Sequence, residues 1–352
     1  MAGHPAGHGL TPHDPAPDHA FVAAEHTARA SYGRLLALLA ASTRDLALAE
    51  DALGDAFERA LRTWPVDGVP GNPEGWLMTV ARNRIRDLLG SAAARTSTPL
   101  DVDVRAALVE HDAEAIPDKR LELLFACAHP AIDPAVRTPL MLQVVLGFDA
   151  TRVAAAFAID PRTMSQRLVR AKRRIRVTGI PFAIPTRADM AARLPGVLEA
   201  IYGAYSLDWL DQNERVWESI ADEARWLAVL TATLLETEPE AWGLAALLTF
   251  AQSRAPARVG SPWPPLDQQD TAQWDRALIA EGEALLRRAH SFGDPLGRFQ
   301  LEAAIQAVHC DRARGGTLDR DVLIRLYRGL VAIAPTVGAR KALDALTAPG
   351  EP

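Results

Sequence analysis

Cysteine is scarce: Cys127 and Cys310 are the only two in 352 residues, and they lie far apart. That argues against a disulfide framework and suits a reducing compartment. No apolar run approaches the length of a membrane span, and the first residues lack the apolar core of a signal peptide. The expectation is a cytoplasmic protein that does not enter a membrane. There is no Walker loop, no dinucleotide-binding glycine motif and no nucleophile elbow. His26, His111, His290 and His309 are scattered without an obvious partner. An enzyme is therefore the least supported class, and no cofactor is expected. Cys127 and His129 stand at a metal-like spacing, but no second pair lies nearby. Cys127 is read as a packing residue and no metal is expected.

Strand-like alternation is also missing. Nearly every periodic segment repeats at helical spacing, so the fold class is all-α. The chain is too long for one typical domain, and 49% hydrophobic residues can build a core. Residues 1–20 are rich in Pro, Gly, Ala and His and read as a disordered tail. Its His4, His8, His13 and His19 are read as solvated rather than metal-binding.

Charge is present but unevenly placed. Residues 1–184 carry 21 basic and 21 acidic side chains, whereas 185–352 carry 17 and 23, which is the whole net charge of -6. Residues 101–133 hold eight acids against three bases; residues 162–176 hold seven bases and no acid. A locally basic helix in an acidic protein is a more specific sign than a high overall pI.

Three helical blocks emerge. The first covers 21–94. Its "DLALAEDALGDAFERALRTW" places Ala49, Leu53, Ala56, Phe57, Ala60 and Trp64 on one face and Asp51, Asp55, Glu58 and Arg62 on the other. After a turn, Asn72 is a plausible N-cap and Pro73 a first helical residue. Trp76, Leu77, Val80, Ile85 and Leu88 form the apolar side of the helix that follows; Arg82, Arg84 and Arg86 are polar. Residues 90–117, rich in Ala, Ser, Thr and acids, read as a flexible linker that separates domains over 95–117. The second block, 118–180, is a run of short helices, with one expected to start near Thr138 because Pro139 looks interior. The third, 187–347, shows about six amphipathic helices, near 191–209, 213–235, 239–253, 270–290, 298–309 and 318–334. They fall loosely into pairs and suggest a helical-repeat-like domain.

"DATRVAAAFAIDPRTMSQRLVRAKRRI" has helix-turn-helix proportions. A short first helix turns Val153, Ala154 and Phe157 inward, and the turn falls at 158–160. The second helix buries Met164, Leu168, Ala171 and Ile175, at spacings of four, three and four. Its outer face is then Arg162, Ser165, Gln166, Val169, Arg170 and Arg173. Long polar side chains there can reach base edges in a major groove: Arg bonds guanine bidentately and Gln bonds adenine. Arg167, Lys172, Arg174 and Arg176 flank that face and reach phosphates. A solvated basic helix is the plain alternative, and the preceding short helix and tight turn argue against it.

This segment resembles domain 4 of an extracytoplasmic-function (ECF) sigma factor. "LAEDALGDAFERALRTWP" and "WLMTVARNRIRDLL" resemble sigma domain 2. "IPDKRLELLFACAHPAI", "QRLVRAKRRIRVTGIPFAIP", "QWDRALIAEGEALL" and "LEAAIQAVHC" are similar to the ECF subgroup with a C-terminal tetratricopeptide-like helical extension. The resemblance covers roughly 21–335. It implies a sigma factor that binds core RNA polymerase and promoter DNA in transcription initiation. On that mapping Asp51, Asp55 and Glu58 face the polymerase. Arg82, Asn83 and Arg86 contact the opening -10 strand, where extruded bases and phosphates need donors. Domain 4 reads the -35 element, and the extension packs on the sigma core of the same chain. Trp64 and Trp76 are read as core. Two other readings stay open on the residues alone: a helix-turn-helix regulator with a helical ligand-binding domain, and a helical-repeat interaction scaffold.

Overall fold

The computed structural model describes residues 16–96, 116–180, 182, 185–210, 217–258, 264–293, 295–315 and 318–348. Fourteen α-helices and no strand occur among them, as the all-α reading expects. Contacts divide the chain into two units, Met1–Ile116 and Pro117–Pro352.

The first unit holds α1 (Ala16–Thr43), α2 (Leu46–Asp67) and α3 (Pro73–Thr96), each packed on the other two. Arg44 takes a positive φ of 54° between α1 and α2, and the Asp45 carboxylate then accepts the Ala47 and Leu48 N–H groups. These are donors that a helix start leaves without a partner. Leu46, Ala49, Ala52, Leu53, Ala56, Ala60 and Trp64 form the buried stripe of α2, with Phe57 only half-buried beside them. At α3 the Asn72 Oδ1 accepts the Gly75 N–H at 2.9 Å and Pro73 opens the helix, as the sequence predicts. Trp64 packs edge-on against Trp76, ring centroids 5.5 Å apart.

Two boundaries differ from expectation. Helix α1 begins at Ala16, inside the stretch read as a tail; Pro17 falls in its first turn, where a missing N–H costs nothing. Helix α3 runs on to Thr96, into the stretch read as a linker, because "SAAAR" is alanine-rich and favours helix. The rest of the tail, 1–15, and of the linker, 97–115, lies outside the described residues.

The second unit begins with α4 (Ile116–Cys127), α5 (Pro134–Val144), α6 (Ala150–Ala156) and α7 (Pro161–Thr178). Cys127 is fully buried in α4, in line with a packing role. Helix α5 starts four residues before the expected Thr138. Asp133 caps it by accepting the Ala135 N–H at 3.0 Å, Pro134 is its first residue, and Pro139 sits buried within it. A proline in the middle of a helix removes one intrahelical bond, and burial of Val136, Leu140, Met141 and Leu142 offsets that loss.

A seven-helix array follows: α8 (Arg187–Leu210), α9 (Trp217–Leu235), α10 (Pro239–Ser253), α11 (Arg276–His290), α12 (Arg298–Cys310), α13 (Arg320–Ile333) and α14 (Val337–Thr347). Each packs on the next. The last helix is one more than the six the sequence suggests. The segment expected as helix from 270 instead opens with a single 3-10 turn, Thr271–Gln273, before α11. Helix α10 touches α8, α9, α11 and α12 and is buried nearly all round. Close approach depends on glycine here: a Cβ on Gly243 would lie 2.7 Å from the Gln300 backbone nitrogen, and one on Gly282 would lie 2.9 Å from the Phe250 ring.

The helix-turn-helix group and the array share one unit. Gly196 and Gly203 of α8 bring that helix against α5, placing a Cβ there 3.9 Å from Met141 Cε and 4.0 Å from Leu142 Cδ2. Arg120 of α4, almost wholly buried, lies 4.1 Å from the centroid of the Trp226 ring in α9 and pairs with Glu223.

Candidate nucleic-acid interface

The recognition-type helix α7 is fixed at both ends. Asp160 precedes Pro161 and its Oδ1 accepts the Thr163 N–H at 2.9 Å. Gly179 ends the helix at φ 62°, a left-handed conformation that favours glycine, and the Ile180 N–H returns to the Ile175 carbonyl at 3.2 Å. Met164, Leu168, Ala171 and Ile175 are its buried residues, the four that the spacing predicts. Helix α6 is capped by Asp149, which accepts the Thr151 and Arg152 N–H groups at 2.9 Å. Val153 and Ala154 are buried, but Phe157 is 39% exposed rather than inward. The helix ends at Ala156, so its periodicity no longer governs Phe157, and Ala158 turns the chain at φ 51°.

The expected outer face is a real surface. Arg162, Ser165, Gln166, Val169, Arg170 and Arg173 are all exposed, Val169 to 64%. An isopropyl group left open amid cations is suited to apolar contact with a base methyl. Ser165 Oγ donates to the Pro161 carbonyl at 2.9 Å, and Arg170 Nε donates to the Gln166 carbonyl at 3.3 Å. Of the flanking set, Arg174 and Arg176 are exposed, whereas Arg167 and Lys172 are half-buried. A cavity of about 240 Å³ between α5 and α7 brings Arg167, Arg170 and Arg174 together with Asp133 and Val136. That grouping crosses the division between base readers and phosphate contacts drawn from the sequence. Asp133 is the residue that sequence reasoning missed; its only signal was the Asp-Pro helix start.

In the first unit, Asp51 is exposed and forms no ion pair among the described residues. Asp55 accepts from Arg84 Nε at 2.5 Å, and Glu58 pairs with Arg62 one turn on. Asn83 and Arg86 are exposed. Arg82 is half-buried; burial, and then the neighbouring Arg86 cation, holds its guanidinium below its ordinary value. Arg34 and Ser31 of α1 both bind Glu74 at the start of α3, a pairing the sequence did not reveal. No group of three or more His, Cys, Asp or Glu able to hold a metal occurs among the described residues. No helix among them is long and apolar enough to cross a membrane.

Comparison with known proteins bears on both units. Residues 28–95 match sigma-70 region 2, and residues 193–290 match a family of unknown function, DUF6596. Uncharacterized protein R00370 of Rhizobium meliloti is 35% identical over 304 residues, covering 83% of this chain and 72% of that protein. The chain belongs to the family of that Rhizobium protein. This family member carries its region 2 match on α1, α2 and α3. It is also 26% identical over 170 residues to a probable ECF RNA polymerase sigma factor, SigI, of Mycobacterium tuberculosis, covering 45% of this chain and 58% of that protein. The region 2 match and this more distant likeness support a sigma factor. The DUF6596 match falls on α8 to α11 of the array. No solved structure matches the chain.

Proposed function

We propose that this chain is a sigma factor of the extracytoplasmic-function kind, acting in the cytoplasm to direct core RNA polymerase to promoters in transcription initiation. The observation that carries the reading is a conjunction. A sigma-70 region 2 match over 28–95 precedes a capped helix whose whole basic outer face, Arg162 to Arg173, is open to solvent. In this reading Asp51, Asp55 and Glu58 meet the polymerase, and Arg82, Asn83 and Arg86 handle the -10 strand. Ser165, Gln166, Val169 and Arg170 read the -35 major groove, with Arg162 and Arg173 at its margins. Arg167, Lys172, Arg174 and Arg176 hold phosphates. The chain contributes no catalytic step of its own.

The C-terminal array is a tetratricopeptide-like brace for the recognition-helix group. The successive packing of α8 to α14, the glycine contacts of α8 on α5 and the Arg120–Trp226 contact support that role. Run-off transcription with purified core polymerase tests the function. Promoter-specific transcripts that require the chain are expected; absence of core binding and of transcripts would end the reading. Truncation after Pro185 tests the brace, with loss of activity expected. A soluble, equally active truncated chain would remove it.

A further inference from the structure

Arg254 closes the C-terminal end of α10, is 4% exposed, and forms no ion pair with a carboxylate among the described residues. Its guanidinium donates to Gln306 Oε1 at 2.6 Å and to the Cys310 sulfur at 3.8 Å, and lies 5.9 Å from the Trp274 ring centroid. Those acceptors are neutral, and sulfur is a weak one. A buried cation without an anionic partner is costly, and burial holds this guanidinium below its ordinary value. A purely structural arginine at this depth is expected to have a carboxylate; this one has two neutral acceptors and is among the residues that line an open space.

The space is a partly open cavity of about 510 Å³ lined by residues of α8, α10, α12, α13 and α14 and their ends. That volume lies in the range of small-molecule sites. Leu247, Ile305 and Leu330 supply apolar wall, and Tyr202 and Tyr327 aromatic wall. Glu302 also lines it, but its Oε1 already accepts from Arg298 Nε at 2.8 Å. A mostly apolar cavity with a single uncompensated buried cation fits a particular ligand chemistry: an aromatic or aliphatic body carrying one oxyanion.

We infer that the helical array binds a small oxyanion-bearing molecule in this cavity, with the oxyanion on Arg254. The inference does not depend on the sigma-factor reading. It has a consequence for the rest of the unit, because α8 gives Tyr202, Tyr205 and Ser206 to the cavity and Gly196 and Gly203 to the contact with α5. The ligand and the recognition-helix group would share one helix.

Calorimetric titration of the full chain tests this, using 3-phenylpropionate, phenyl phosphate and the uncharged 3-phenylpropanol. The two acids distinguish a carboxylate from a phosphate source. Saturable binding of at least one acid is expected, at least tenfold tighter than any binding of the alcohol. Arg254→Met should weaken it at least tenfold while the unliganded melting temperature holds or rises, since it removes an uncompensated buried charge. Should that variant misfold, Gly338→Phe decides. Gly338 lines the cavity, a Cβ there meets no atom within 4 Å, and the variant retains Arg254. It should fold and lose binding. Binding of neither acid, equal binding of the alcohol, or undiminished binding by Gly338→Phe would overturn the proposal.

Discussion

The Nε of Arg84 in α3 donates to the Oδ2 of Asp55 in α2 at 2.5 Å, so one of the acids assigned to polymerase contact also joins two helices of its own unit. Asp51, one turn earlier, has no such bond. The two positions therefore separate binding from stability. Asp51→Lys is expected to weaken core polymerase binding several-fold with unchanged melting. Asp55→Lys should weaken binding too, and also lower stability by about 0.2–1 kcal/mol, the usual range for exposed pairs. Titration against core polymerase alongside urea melts checks both; unaltered affinity in the two variants removes the assignment.

Arg170 and Arg174 line one cavity with Asp133 yet are assigned different partners. Arg170→Ala should cost about 1–3 kcal/mol at one base pair of the -35 element. Arg174→Ala should weaken all sequences alike and reduce the salt slope of binding by about 1. A base-substitution series measured at several salt concentrations distinguishes them. If Arg170→Ala behaves as Arg174→Ala does, Arg170 is a phosphate contact.

The glycines of the array differ in what surrounds them. Gly243→Ala would press a methyl to 2.7 Å from the Gln300 nitrogen and should cost about 1–3 kcal/mol, as overpacking does. Gly329 has ordinary space, its nearest neighbour being Leu301 at 3.5 Å. Gly329→Ala should instead stabilise by about 0.4–1 kcal/mol through the unfolded chain. Denaturant midpoints of the two variants should move in opposite directions.

His309 is expected to make stability depend on pH. Burial, and then the Arg254 and Arg312 cations, lowers its pKa to about 4. Above its ordinary value of 6.5 both folded and unfolded chains hold a neutral imidazole. Below that value the unfolded chain takes up the proton first, so stability falls as pH drops from 6.5 toward 4. His129 shifts in the same direction, through burial and then the Arg193 and Arg137 cations. Melting curves at pH 7.5 and pH 5 should differ by less in His309→Gln than in the parent; an unchanged difference would acquit His309.

What was legible in the sequence follows from how local each cause is. Met164, Leu168, Ala171 and Ile175 could be read because one helix face meets one core, and period alone selects them. Asn72 could be read because a cap acts over three residues. Phe157 misled because periodicity was carried past Ala156, where the helix stops. Pro139 misled because a rule about isolated helices was applied to one whose other side chains are buried. Helix α14 was missed because its case is tertiary: Ala339 and Leu346 belong to a cluster with Leu301 and Leu330. Arg254 gave no sign at all, since its neighbours Gln306 and Cys310 lie some fifty residues further on.

The contact of Arg120 with Trp226 also sets a schedule for synthesis. About a hundred residues separate the two in the sequence. At about 5–20 residues per second, the ribosome delivers the second roughly 5–20 s after the first. Throughout that interval the Arg120 guanidinium lacks its ring, and for the part of it before α8 is made Met141 and Leu142 lack the surface that covers them. Nascent chains paused before α8 are thus the ones that chaperones and proteases meet with an apolar face uncovered. The apolar face of α5, on which α7 also packs, is closed only once α8 has been made.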